Sequence, residues 1–127
     1  MKRSEIEKLE KTIGRMEGLH AEIIALAKKS PNDGVNKVKL GFINKAIEEA
    51  LQVLGSKYQP FDDFEKFDAD ELPTNSDVSF ILTQFLEELE RKRADNIEVR
   101  AGGRWVYSVD DGGSEIRTGP PRKIGKK

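Results

Sequence analysis

The feature that most constrains this chain is a run of seven residues near its start, Ile6, Leu9, Ile13, Met16, His20, Ile23 and Ala27, spaced alternately three and four apart. On a helix that spacing draws one narrow, mostly apolar stripe, and such a stripe has to be covered by another element. Ser4 and Glu7 form a capping-box pattern, and the Ser-Pro-Asn-Asp-Gly run at 30–34 stops the pattern, so the spacing predicts a helix over about 4–29. Beside the seam lies a second stripe of small residues, Gly14, Gly18, Ala21 and Ala25. Glycine inside a helix costs about 1 kcal/mol against alanine, so the stripe predicts that another backbone comes close. Ile13, Gly14, Met16, Gly18, His20, Ala21, Ile23 and Ala25 are the expected helix-packing or oligomer interface.

A second helix is expected over 35–54, with Val35, Val38, Phe42, Ile43, Ala46, Ile47, Ala50, Leu51 and Leu54 on one broad face and Gly55 as its stop. Leu40 and Val53 fall off that face, which predicts that this helix is contacted on several sides and sits in the middle of the fold. A third helix should start at one of the caps Asn75, Ser76 or Asp77 and run to about Asp95 through Val78, Ile81, Leu82, Phe85, Leu86 and Leu89. Near its end, Glu87 with Arg91 and Glu88 with Lys92 form favourable four-residue pairs. After Asn96 the period shortens to runs separated by glycine pairs, 97–100, 104–109 and 114–118, which predicts a small antiparallel meander. The expected fold is therefore mainly α: a three-helix antiparallel bundle (1–96), a C-terminal β-meander appendage (97–118) and a flexible basic tail (119–127).

Charge is unevenly spread, although the net charge is only −1. From Gln59 to Asp77 seven acids face one base, Lys66, a net of −6; from Ile97 to Lys127 seven bases face four acids, a net of +3. In the acidic stretch, Asp62, Asp63, Glu65, Asp68, Asp70 and Glu71 are the expected docking patch for a basic surface, and Phe61, Phe64 and Phe67 should staple that stretch to the core. Its spacing lacks the sixth-position glycine and terminal glutamate of a calcium loop.

Few residues invite chemistry. Cysteine is absent and His20 is the only histidine, which leaves no thiolate nucleophile, no disulfide and no two-histidine metal site. A polar residue on a helical seam more often sets register than reacts. In the basic stretch, Arg104, Trp105, Tyr107, Arg117, Arg122 and Lys123 combine cations with aromatic rings, as a single-stranded nucleic-acid surface does. No stretch approaches the roughly 20 apolar residues of a membrane span, and no signal-peptide hydrophobic region follows the opening MKRSEIEKLEK.

Association features outnumber chemical ones, so the expected function is a noncatalytic, cytoplasmic protein–protein interaction or assembly module with a protein partner or a second copy, no membrane, no metal and no cofactor. The alternative is a nucleic-acid-binding accessory protein working through its C-terminal region. A metal-dependent hydrolase, with Glu98 as the sole in-strand carboxylate beside a base, is the third.

Overall fold

A computed structural model of the protein describes residues 1–123; the remainder of the expected tail, 124–127, lies outside the described residues. The chain is mainly helical, with α1 (Arg3–Lys29), α2 (Lys37–Leu54) and α3 (Asn75–Ala94). Two antiparallel strands follow, β1 (Ile97–Arg100) and β2 (Arg104–Tyr107), with Ile97 opposite Tyr107 and Val99 opposite Trp105. No described helix is long and apolar enough to cross a membrane.

The heptad seam of α1 is the centre of the core. Ile6, Leu9, Ile13, Met16 and Ile23 are buried, and they meet Ile43, Ile47 and Ala50 of α2 and Val78, Leu82, Phe85 and Leu89 of α3 in one cluster. The helix begins a little earlier than Ser4 implies, because Glu5 Oε1 accepts the Lys2 amide at 2.8 Å and does the work expected of Glu7.

On α2 the expected face is rotated. Leu40, Ile43, Ile47, Ala50 and Leu54 form the buried row, whereas Val38 and Phe42 are 73% and 64% exposed. Counting the three-four spacing from Leu40 rather than Val38 selects this row. The central element is α1, which packs against both other helices, most extensively along α3.

The helices do not alternate in direction. Arg15 pairs with Glu49 and Glu22 with Lys39, so α2 runs against α1; His20 meets Thr83 and Ser30 meets Asn75, so α3 also runs against α1. α2 and α3 share one sense. Their beginnings are stitched by Val35 N to Pro73 O (2.9 Å) and Asn75 N to Asp33 O (2.9 Å), and near their ends Lys92 Nζ donates to Val53 O. A long link over 55–74, not a short turn, carries the chain back to make this possible. Asn44 fixes the link by binding both backbone groups of Phe67, at 2.8 and 3.0 Å, and Phe64 stacks edge-on to Phe67 and tilts against Phe85.

The expected three-stranded meander is a two-stranded hairpin. Its third run makes only an isolated bridge, Val106 to Arg117, with Tyr107 N donating to Ile116 O and Thr118 N to Trp105 O. Between the runs, Gly112 and Gly113 take positive φ (76° and 93°) and bow the segment toward α1, where Arg3 Nη2 donates to the Gly112 carbonyl. Tyr107, 2% exposed, belongs to the same core as the helices. The first residues are held by the same segment: the Met1 ammonium donates to Ser108 O (3.0 Å) and pairs with Asp110, and Arg3 N donates to Asp111 Oδ1.

Candidate functional site

At the start of α3 the link and the helix enclose a groove of about 750 Å³. Thr74 Oγ1 caps α3 by accepting the Asp77 amide, Asp68 Oδ1 accepts the Asp70 amide of a 3₁₀ turn (Ala69–Glu71), and Leu72 sits in the left-handed region at φ 50°. These local choices turn Leu72 outward beside Pro73. Leu72 and Phe80 line the groove while 61% and 58% exposed, above half-buried Phe67 and Ile81. Asp68, Glu71 and Asp77 also line it, and among the described residues none of the three has a cationic partner within 4.0 Å. The site therefore pairs uncovered apolar surface with uncompensated negative charge. The sequence carried one signal of it: Phe80 is out of phase with the Val78, Ile81, Leu82, Phe85 row, and an aromatic that misses the core stripe has to face elsewhere.

The basic set of the C-terminal region is differently disposed. Arg104 forms a two-point bond with Glu115 at 2.9 and 3.0 Å, and Arg122 lies 3.4 Å from Glu17 and 3.8 Å from Glu90. The Arg104 bond holds the exposed Glu115 carboxyl below its ordinary range. Tyr107 is inside the core and its hydroxyl bonds Glu10; burial first, then that carboxylate, push the phenol far above its ordinary range. Its ring has no face free to stack on a base. Trp105 is half-buried, and Arg117 and Lys123 are exposed.

A buried ion pair missed by sequence reasoning organises this end. Arg93 and Glu90, 3% and 6% exposed, bond twice, Nε to Oε1 at 2.7 Å and Nη2 to Oε2 at 2.9 Å. The other three Arg93 protons go to Thr118 Oγ1, Gly119 O and Pro120 O, and Glu90 Oε2 also accepts the Arg122 amide. All five guanidinium donors are used. Residues 118–122, expected as the end of the meander and the start of a flexible arm, are thus bonded to α3. The available signal was a three-residue spacing, Glu90 with Arg93, where the four-residue pairs drew notice; Glu88 likewise pairs with Arg91 rather than Lys92.

The expected interface on α1 divides in two. Ile13, Met16 and Ile23 are core residues, whereas Gly14, Gly18, Ala21 and Ala25 are exposed on the opposite side, and a Cβ placed on Gly14 or Gly18 would meet nothing within 4 Å. Among the described residues no backbone comes within 4 Å of a Cβ at either glycine, because the core takes the apolar seam instead. His20 is half-buried with Nε2 2.8 Å from Thr83 Oγ1; that hydroxyl gives its proton to Ser79 O at 2.9 Å, so it accepts from the imidazole. Burial lowers the His20 pKa. Asp62, Asp63, Glu65, Asp68, Asp70 and Glu71 are all exposed, and among the described residues no three acidic or histidine side chains are grouped to hold a metal ion. No family model matches the chain, and neither a curated protein nor a solved structure shows significant similarity to it.

Proposed function

We propose that the protein is a noncatalytic interaction and assembly module whose helical bundle presents the groove at the start of α3 to a lysine-rich protein segment carrying an aliphatic side chain. The observation that carries this is the placement of Leu72 and Phe80, both mostly exposed, in one groove with Asp68, Glu71 and Asp77. Apolar side chains left in water at a rimmed depression mark association surfaces, and an unpaired rim of one sign steers the oppositely charged partner and rejects like charge. The aliphatic residue would cover Leu72 and Phe80, and the lysines would meet the three carboxylates.

Acid partners already occupy Arg104 and Arg122, and Tyr107 is buried, which weighs against the nucleic-acid alternative. The two readings separate in one titration. Amide resonances of the labelled protein are followed as a lysine-rich peptide with one isoleucine is added, then a glutamate-for-lysine version, then single-stranded DNA. Shifts confined to Leu72, Asp77, Phe80 and Ile81 with the first peptide alone support the proposal. Shifts around Trp105 and Arg117 with DNA, and none at the groove with peptide, refute it.

A further inference from the structure

We infer that the segment which fills this groove is residues 123–127 of a second copy of the chain, so that the protein assembles with itself by docking its basic end into the acidic end of a neighbour. The inference rests on the proposed docking role of the groove and names its occupant.

Three observations favour this occupant. The segment reads Lys-Lys around a single aliphatic residue: Lys123, Ile124, Gly125, Lys126 and Lys127, three cations and one isoleucine against three carboxylates and one apolar floor. Its root is fixed in space, because the Arg122 amide is bonded to Glu90 at 2.7 Å and its guanidinium lies beside Glu17, on the α1 side of α3. The third observation is reach. Phe80 precedes Glu90 by ten residues, which on a helix is about 15 Å along the axis and about a quarter of a turn round it. Five extended residues span at most about 17 Å, enough to approach the near edge of the chain's own groove but not to lie along it. A neighbouring copy has no such restriction. The contact joins two different patches, so it closes into a ring when copies exchange ends reciprocally and extends when they do not.

A segment this short buries less than a standard interface, so the association should be weak and dependent on concentration and salt. The full chain is weighed in solution by sedimentation over a hundredfold range of concentration, at low salt and at roughly 1 M salt, where screening shrinks the reach of charge to about 3 Å. The average mass should rise from 14.3 kDa toward twice that value or beyond at low salt and return to the monomer at high salt. Two full-length variants, one triple and one double, should each remain monomeric: Lys123→Glu with Lys126→Glu and Lys127→Glu, and Leu72→Gly with Phe80→Ser; Lys123, Leu72 and Phe80 are exposed. Restoration of mixed complexes when the glutamate-tailed variant meets Asp68→Lys with Glu71→Lys and Asp77→Lys identifies the pairing. Carbodiimide cross-linking of heavy- and light-isotope copies should join Lys123, Lys126 or Lys127 of one to the groove carboxylates of the other. A free peptide of residues 122–127, titrated onto the glutamate-tailed variant, separates the two levels of failure. Peptide bound at the groove with a chain that stays monomeric overturns the self-assembly inference and keeps the docking role; no peptide binding and no association overturns both. Association that neither variant weakens overturns the inference as well.

Discussion

Replacement of Arg93 by methionine tests whether the C-terminal end of the fold is held by one desolvated unit. Methionine keeps most of the volume but removes the charge and all five donors, leaving the Glu90 carboxylate, 7% exposed as a side chain, with the Arg122 amide and a guanidinium nitrogen at 3.8 Å. Breaking a buried pair by removing one partner costs about 3–5 kcal/mol, because the surviving charge is stranded. The lower end applies here. Glu90 retains some compensation, and the acceptors freed on residues 118–120 belong to a surface segment that water can reach. For a chain of this length about 3 kcal/mol corresponds to a drop of roughly 12 °C in Tm.

The companion variant, Glu90→Leu with Arg93→Met, removes both charges, and an apolar replacement of a buried pair is often neutral. It should therefore be more stable than Arg93→Met alone, with a coupling of about 2 kcal/mol between the positions. Urea unfolding of the wild type, both single variants and the double gives the cycle. Hydrogen exchange at the Thr118 and Arg122 amides shows whether the segment loosens with it. A loss below about 1 kcal/mol for Arg93→Met, or single-variant losses that simply add, would refute the view that the pair acts as one buried unit.

Three further outcomes are expected. Gly18→Ala should raise stability by about 0.5–1 kcal/mol in chemical denaturation, since the new Cβ meets nothing within 4 Å and glycine is the poorer helix former; a loss would mean that something covers the stripe. His20 has a folded pKa below its ordinary 6.5, so the unfolded chain binds the proton first: stability should fall as pH drops through that value toward the lower folded one, and His20→Gln should flatten this slope in melting curves. Tyr58 donates to Asp95 at 2.7 Å, and that bond, followed by burial, pushes its pKa from 10.0 up to about 12. Its contribution is complete below pH 10 and should be lost as pH rises from there to about 12; the phenolate absorbance of the folded protein compared with Tyr58→Phe checks both the titration and the loss.

Much of the helical architecture is legible from spacing because the driving term is local and periodic. The α1 seam, the Gly55 stop and the Val78, Leu82, Phe85, Leu89 row all follow from which residues can share one side of a helix. What the spacing leaves open is set by partners far along the chain. Leu40 and Val38 are both apolar and each starts a plausible row; the contact with α1 selects Leu40. The common direction of α2 and α3 depends on Asn44 gripping Phe67 across a link whose length alone implies no path. The third β run carries strand-forming residues, but Arg3 and Arg93, both helical residues, take up the Ser114 carbonyl at its start and the Pro120 carbonyl beyond its end. At the candidate site, the acidic run was legible as composition and Phe80 by its phase on α3, whereas Leu72 joined them only through a left-handed turn that no propensity requires.

The stitching of Met1 and Arg3 to residues 108–112 places the opening turn of the molecule against a stretch made more than a hundred positions later. During synthesis the seam of α1 waits for α3, and its first turn waits for residues 108–112, before their neighbours arrive. Closing so wide a loop is slow relative to forming the helices themselves. The last step of folding is a zippering of late residues onto early ones.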